Sequence, residues 1–139
     1  MKQPDRTTNK CFACGPDNPI SLRLQFEDDG DVVRTSFTPR DEHQGWPGIM
    51  HGGLMATILD EAMAQWCWRR NIPALTGEIT VRFKKEVPVG TGLTVEARLE
   101  QQKGRLLFLE AEAVLPDGKC AATAKSKFIR MTGEQAGPN

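Results

Sequence analysis

Apolar and polar residues alternate along six stretches of this chain, a pattern typical of strands that bury one face. The first two stretches begin at Leu22 and Val33, and the turn-forming letters D-D-G between them predict a β-hairpin. The remaining four predicted strands are 78–86, 93–100, 105–115 and 119–131. The segments P-V-G-T-G, Q-Q-K-G and P-D-G separate these strands and favour antiparallel connections.

One long helix is predicted between the hairpin and the later strands. From Leu54 to about Arg70 the chain has no glycine or proline, and apolar side chains fall on nearly every helical face. We therefore expect an α+β fold in which a long central helix is wrapped by a curved antiparallel sheet of five to six strands. The single domain is predicted to cover residues 11–132, with 1–10 and 133–139 as flexible termini.

Composition and charge exclude several classes of protein. The 139 residues suffice for one domain, and 18 basic against 18 acidic side chains argue against a nucleic-acid partner. The apolar stretch 54–68 is interrupted by charges and is shorter than the ~20 residues of a membrane span, so no membrane partner is expected. Because the letters M-K-Q-P-D-R-T-T-N-K include no apolar segment, we expect a cytoplasmic protein whose four cysteines are reduced.

A histidine and two glycines stand directly before the predicted helix. Gly52 and Gly53 have no side chains, so their backbone N–H groups, at the positive end of the helix dipole, are open to an oxyanion. The same pair also fits a tight turn into the helix. His51 either belongs to this site or orders the glycine loop without titrating.

Two adjacent carboxylates lie within the apolar helix. Asp60 and Glu61 are costly to ionise there unless they are paired, hydrogen-bonded or face a wet cleft, so at least one is expected to have a function. Adjacent side chains on a helix point about 100° apart, so the two carboxylates cannot act as a dyad. Capping of a neighbouring backbone or pairing with an arginine is the structural alternative.

A metal site is disfavoured by the sequence. Cys11 and Cys14 form a C-x-x-C pair, which is half of a common zinc site. The remaining cysteines and histidines form no second close pair, so we expect no metal and no other cofactor, and the alternative is a turn with small buried thiols. These remaining candidates are Cys67, Cys120, His43 and His51.

Three basic residues cluster near the end of a predicted strand. Arg82, Lys84 and Lys85 either meet the phosphates of a substrate or form a solvated strand face. The chain has no G-x-S-x-G motif, so catalysis by a nucleophilic serine is disfavoured.

Three segments of the chain carry a resemblance to a known family. They are C-F-A-C-G-P-D-N-P-I-S-L-R-L, P-G-I-M-H-G-G-L-M-A-T-I-L-D-E and T-G-E-I-T-V-R-F-K-K-E-V-P-V-G. Together, over about residues 11–131, they resemble the hotdog-fold acyl-CoA thioesterases of the phenylacetate-pathway and 4-hydroxybenzoyl-CoA type. The resemblance implies a hotdog fold and a hydrolase that cleaves an acyl-CoA, or a related acyl thioester, to free acid and thiol.

The resemblance also implies roles for individual residues. Asp60 is expected to activate water or attack the thioester carbonyl, Gly52 N–H to stabilise the oxyanion, and Thr76 to orient the acid, with His51 beside them. Several relatives polarise the carbonyl with an Asn or Gln at the position of Gly45, whereas here Gln44 comes one residue earlier. Substrate contacts are expected from Gly53, Gln44, Glu61, Arg82, Lys84 and Lys85.

Spacing along the helix favours a homodimer. Gly52 and Asp60 are eight residues apart, which is about 12 Å along one helix, so one carbonyl cannot touch both. We expect each site to combine Gly52 of one chain with Asp60 of another, in agreement with the dimeric sites of the family, and a dimer of dimers is a further option. The alternatives are a non-catalytic acyl-CoA-binding hotdog dimer and, with less support, an enoyl-thioester hydratase.

Overall fold

The structure, a computed structural model, describes residues 8–132. Within this range the chain forms one long helix, α1, which spans Gly52–Trp68, and a short 3-10 helix at Asp41–His43. Six strands complete the described part of the chain: β1 Phe26–Asp28, β2 Val32–Phe37, β3 Ala74–Phe83, β4 Leu93–Lys103, β5 Leu106–Val114 and β6 Cys120–Arg130. Apart from residues 8–10, the termini predicted to be flexible, 1–10 and 133–139, lie outside the described residues.

The strands form a single sheet in the order β1-β2-β4-β5-β6-β3, and every neighbouring pair is antiparallel. Helix α1 packs against this sheet. The α+β prediction of one long helix and an antiparallel sheet is therefore confirmed. Within residues 8–132, none of the helices combines the length and the apolar character needed to cross a bilayer.

The core lies between α1 and the inner face of the sheet. Alternate residues of β5 are buried, namely Leu107, Leu109, Ala111 and Ala113, as the period of a half-buried strand requires. On α1 the fully buried side chains include Ile58, Leu59, Ala62 and Met63. Several inward positions of the sheet are alanines, and their small side chains leave room for the helix to lie close to the strands.

Both ends of α1 are capped by specific residues. His51 is the N-cap, and its Nδ1 accepts a 2.8 Å hydrogen bond from Gly53 N–H. At the other end Asn71 adopts a positive φ of 58°, and Ile72 N–H donates back to Cys67 O across a 3.0 Å hydrogen bond. Together these features form a Schellman motif, which explains why the helix ends here without a glycine.

The predicted bounds of the first strand and of β3 are wrong, and β4 extends to Lys103, beyond its predicted end at residue 100. The first strand begins at Phe26 instead of Leu22, because the N–H groups of Leu22 and Leu24 bond to backbone oxygens of the N-terminal segment, while Arg23 takes a positive φ of 56°. Strand β3 occupies Ala74–Phe83 instead of 78–86. Its start was missed because a bulge at Gly77 interrupts the alternation.

Candidate active site

The loop before α1 is held by its own backbone and by Gln44. The Gln44 side chain donates to Asp41 O at 2.8 Å and accepts from Gly48 N–H, while His51 N–H donates to His43 O at 2.8 Å. Both ends of the Gln44 amide therefore support the loop. This arrangement favours a structural role for Gln44 over the predicted contact with substrate.

The surroundings of Gly45 bear on one departure from the family pattern, namely the lack of an Asn or Gln at this position. A Cβ atom built on Gly45 would lie 3.0 Å from Cδ2 and 3.2 Å from Cα of His51. An Asn or Gln at this position would therefore require His51, which caps α1, to shift by a few tenths of an ångström. Glycine avoids this crowding.

The two glycines at the start of α1 differ in the availability of their N–H groups. Gly53 N–H is occupied, because it donates to Nδ1 of His51. For Gly52 N–H, no acceptor is found among residues 8–132. Since the first N–H groups of a helix have no intrahelical partner and lie at its positive end, Gly52 can receive an oxyanion while Gly53 is already capped.

Two of the predicted basic residues line a groove beside Gly52, at the start of α1. The groove has a volume of about 350 Å³, and its lining includes Gly52, Phe83, Lys84 and Lys85. The Phe83 ring is close enough that a Cβ on Gly52 would lie 3.4 Å from it. Phe83 was not among the predicted site residues. The predicted strand extended through Glu86, and nothing in its alternation indicated that Phe83 lies beside the start of the helix.

Arg82 lies on the opposite face of the sheet. It lines a different surface depression together with Arg98, Glu110 and Glu112 on neighbouring strands. The structure therefore separates Arg82 from Lys84 and Lys85 within one chain, because β3 ends at Phe83 and the two lysines follow the strand. The predicted substrate contact of Arg82 receives no support from this chain alone.

The bulge in β3 directs Thr76 towards α1. Thr76 pairs with the buried Phe128, whereas Glu78, two residues later, pairs with the exposed Lys127. In a regular strand residues i and i+2 share a face, so the extra residue, Gly77, is what places Thr76 and Glu78 on opposite faces.

Thr76 and Asp60 are brought together by this geometry. The Thr76 hydroxyl Oγ1 donates a 2.8 Å hydrogen bond to Asp60 Oδ1. Burial of Asp60 in the helix raises the pKa of its carboxyl group, and the Thr76 hydrogen bond acts in the opposite direction. The result is a fixed carboxylate that is a stronger base than an exposed aspartate.

Glu61 faces a different part of the molecule. Cys11 Sγ lies 3.6 Å from Glu61 Oε2, and burial raises the pKa values of both Glu61 and Cys14. The two carboxylates therefore have separate environments, as the angle between them on the helix predicts. Glu61 does not line the groove beside Gly52, so its predicted contact with substrate is not supported within the chain.

Comparison with known proteins identifies a family for this chain. The model of the thioesterase superfamily matches residues 47–122. The acyl-coenzyme A thioesterase THEM4 of Bos taurus is 32% identical over 94 residues, which cover 67% of this chain and 38% of that protein. The chain spans about two fifths of the length of its THEM4 relatives in Bos taurus, Rattus norvegicus and Mus musculus.

Solved structures show the same fold at lower sequence identity. A crystal structure of a thioesterase superfamily protein superposes with a TM-score of 0.82 at 23% identity and covers 87% of this chain and 60% of the other. The PaaI protein of the E. coli phenylacetic acid degradation operon gives a TM-score of 0.74 at 22% identity, covering 78% of this chain and 84% of the other. The predicted hotdog fold is confirmed, and with its family model matched over more than half its length, this chain belongs to the thioesterase superfamily.

Proposed function

We propose that this chain hydrolyses an acyl-CoA, or a related acyl thioester, to free acid and thiol. The observation that carries the proposal is the environment of Asp60, a half-buried carboxylate in an apolar helix whose Oδ1 is held by the Thr76 hydroxyl. Membership of the thioesterase superfamily and the name of the acyl-coenzyme A thioesterase relatives support the same chemistry.

The proposed reaction needs a base or nucleophile and an oxyanion donor. Asp60 removes a proton from water, which attacks the thioester carbonyl, or the carboxylate attacks the carbonyl itself and the resulting anhydride is hydrolysed. Gly52 N–H stabilises the oxyanion that forms, and its collapse breaks the C–S bond. The thiolate then takes up a proton and leaves, so one water is consumed for each acid and thiol formed. No cofactor enters any of these steps.

We further propose that the working unit is a homodimer, with a dimer of dimers as a further option. Gly52 and Asp60 are separated by about 12 Å along α1, too far for one carbonyl to meet both groups of one chain. Strand β3 pairs with β6 on one side, and its other edge has no partner strand within residues 8–132. Leu75 and Phe83 on this strand are 50% and 60% exposed, so the open edge offers apolar surface to a second copy.

Lys84 and Lys85 are the proposed contacts for the charged part of the thiol. Both are exposed and line the same groove as Gly52. A substrate whose carbonyl sits at Gly52 can therefore extend its phosphates towards two ammonium groups. The cytoplasm is the proposed setting, because the cysteines of the described chain are free thiols, which a reducing compartment maintains.

The test is turnover of a panel of acyl-CoA substrates with short, long and aryl acyl groups. Free CoA should be measured by chromatography, because the protein's own thiols would consume a thiol reagent. In Asp60→Asn the amide keeps an oxygen for Thr76 but loses basicity, so kcat should fall by at least ~10².

The matched control for this variant is Asp117→Asn in the turn between β5 and β6. It makes the same chemical change at an exposed carboxylate that accepts a hydrogen bond from Lys119 N–H. Near wild-type turnover by a folded Asp60→Asn protein would contradict the assignment. Binding of every acyl-CoA without release of CoA would instead favour the non-catalytic binding protein.

A further inference from the structure

Two cysteines and a glutamate meet on the surface of α1, away from the groove at Gly52. The Sγ atoms of Cys11 and Cys14 and a carboxylate oxygen of Glu61 all lie within 4.8 Å of one another. Cys11 and Glu61 are 50 positions apart in the sequence, so no local motif joins the carboxylate to the C-x-x-C pair. The third group is a carboxylate supplied by the helix.

One separation in this cluster matches an edge of a metal tetrahedron. With metal–sulfur and metal–oxygen bonds of about 2.3 and 2.1 Å, tetrahedral geometry puts sulfur and oxygen about 3.6 Å apart. Cys11 Sγ and Glu61 Oε2 are 3.6 Å apart. All three ligand atoms lie within 4.8 Å of one another, so side-chain movement alone can bring them around a metal ion.

The turn that carries the cysteines is anchored independently of any ligand. Phe12 O and Ala13 O accept backbone hydrogen bonds of 2.9 and 3.0 Å from the chain that precedes β1, and Gly15 N–H donates to Cys11 O at 2.8 Å. A Cβ on Gly15 would lie 2.4 Å from Cys11 N, so a glycine is required after the second cysteine. The two thiols are thus preorganised beside α1.

Charge in this cluster also favours a cation. No lysine or arginine within residues 8–132 forms an ion pair with Glu61. Glu61 is nevertheless partly buried, and a carboxylate in that position is stabilised by a compensating positive charge. Thiolate ligands together with one carboxylate select a soft or borderline divalent ion.

We propose that Cys11, Cys14 and Glu61 form a binding site for a divalent transition metal of the zinc type, which ties the N-terminal segment to α1. Three protein ligands leave a fourth position for water or an additional ligand. This inference reverses the expectation from the sequence that the C-x-x-C pair binds no metal. It does not depend on thioester hydrolysis, and its test uses no activity measurement.

The experiment titrates the reduced, metal-free full chain with Co²⁺ and then with Zn²⁺. We expect one Co²⁺ per chain, with the intense visible bands of a tetrahedral ion and a near-ultraviolet thiolate band, and we expect Zn²⁺ to displace it. The double variant Cys11→Ser with Cys14→Ser should lose these bands. Glu61→Gln should bind at least ~10-fold more weakly because it loses a charged ligand.

Cys120→Ser is the matched control, since it removes another partly buried thiol that lies outside the cluster. It should bind Co²⁺ like the wild type. Metal should also raise the Tm of the wild type and of Cys120→Ser, and leave the Tm of the double variant unchanged. A wild-type protein that binds no stoichiometric metal, or that binds Co²⁺ without tetrahedral bands, would overturn the proposal whatever the variants do. Equal affinity of folded Glu61→Gln would overturn the role of the carboxylate.

Discussion

Thr76 Oγ1 donates a 2.8 Å hydrogen bond to Asp60 Oδ1, joining the edge strand β3 to the helix that carries the candidate base. This contact depends on Gly77, because the bulge turns Thr76 to the inner face while Glu78 remains on the outer face. The bond fixes one carboxylate oxygen, and in the proposed reaction the other oxygen acts on water. Orientation of a catalytic group in this way lowers the cost of reaching the reactive geometry.

Removal of this hydroxyl should lower turnover more than binding. Thr76→Val has the same shape without the donor, so we expect kcat to fall about 10-fold with a smaller change in KM, which corresponds to the loss of one hydrogen bond to a charged group. Thr76→Ser should recover most of the rate. Thr80→Val is the control, since Thr80 lies on the outer side of the same strand. Equal kcat values for Thr76→Val and Thr80→Val would show that the contact does not serve catalysis.

The two lysines of the groove should act on the charged part of the substrate. Changing both Lys84 and Lys85 to Gln should raise KM for an acyl-CoA by about 10-fold at low salt, because two ammonium groups no longer meet the phosphates. For an acyl thioester of a short neutral thiol, KM should stay unchanged. The same double change at the exposed Lys103 and Lys119, which lie outside the groove, is the control. A similar rise in KM for both kinds of substrate would contradict the phosphate contact.

Much of the fold follows from the sequence because its signals are local. The alternation over 105–115 predicted β5, observed as Leu106–Val114, and the stretch without Gly or Pro predicted α1 to within two residues at either end. The edge strand β3 was less predictable. Its bulge interrupts the two-residue period of alternation near the start of the strand. The strand ends at Phe83, because the next two N–H groups, of Lys84 and Lys85, both donate to Ala121 O.

From the residues alone the site was predictable only where one short segment carries it, and Thr76 was predicted through the family resemblance instead. Gly52 and Asp60 stand in a single motif, but the difference between Gly52 and Gly53 depends on which N–H the His51 side chain occupies. The meeting of Glu61 with Cys11 joins residues 50 positions apart, and no local period records such a contact. Long-range pairs of this kind depend on the packing of the whole domain.

A buried histidine should make stability depend on pH. His43 is buried against Phe37, its Nδ1 accepts a 2.9 Å hydrogen bond from Arg40 N–H, and burial holds its pKa below the ordinary value of 6.5. Below about pH 6.5 His43 binds a proton in the unfolded chain more readily than in the folded chain. The contribution of neutral His43 to stability is therefore complete above that pH and is lost as the pH falls.

The measurement is Tm from about pH 8 to about pH 5 for the wild type and for His43→Asn, whose amide oxygen can replace the acceptor but does not titrate. Over this interval the Tm of the wild type should fall further than the Tm of the variant. Parallel curves for the two proteins would show that His43 is not the group responsible.

Assembly of the site from two chains can be tested with two inactive variants. Asp60→Asn removes the base, and Gly52→Val places a branched side chain where even a Cβ lies 3.4 Å from the Phe83 ring. Each variant should first be shown to be a folded dimer. When the two are unfolded, mixed and refolded together, about half of the dimers should contain one chain of each kind. In such a dimer one of the two sites receives an intact Gly52 from one chain and an intact Asp60 from the other, so activity should return to about a quarter of that of the wild type.

If both groups served one site from the same chain, every site in the mixture would keep a defect. Mixed dimers verified by mass and lacking any recovered turnover would therefore rule out the shared site, even if the wild type hydrolyses thioesters.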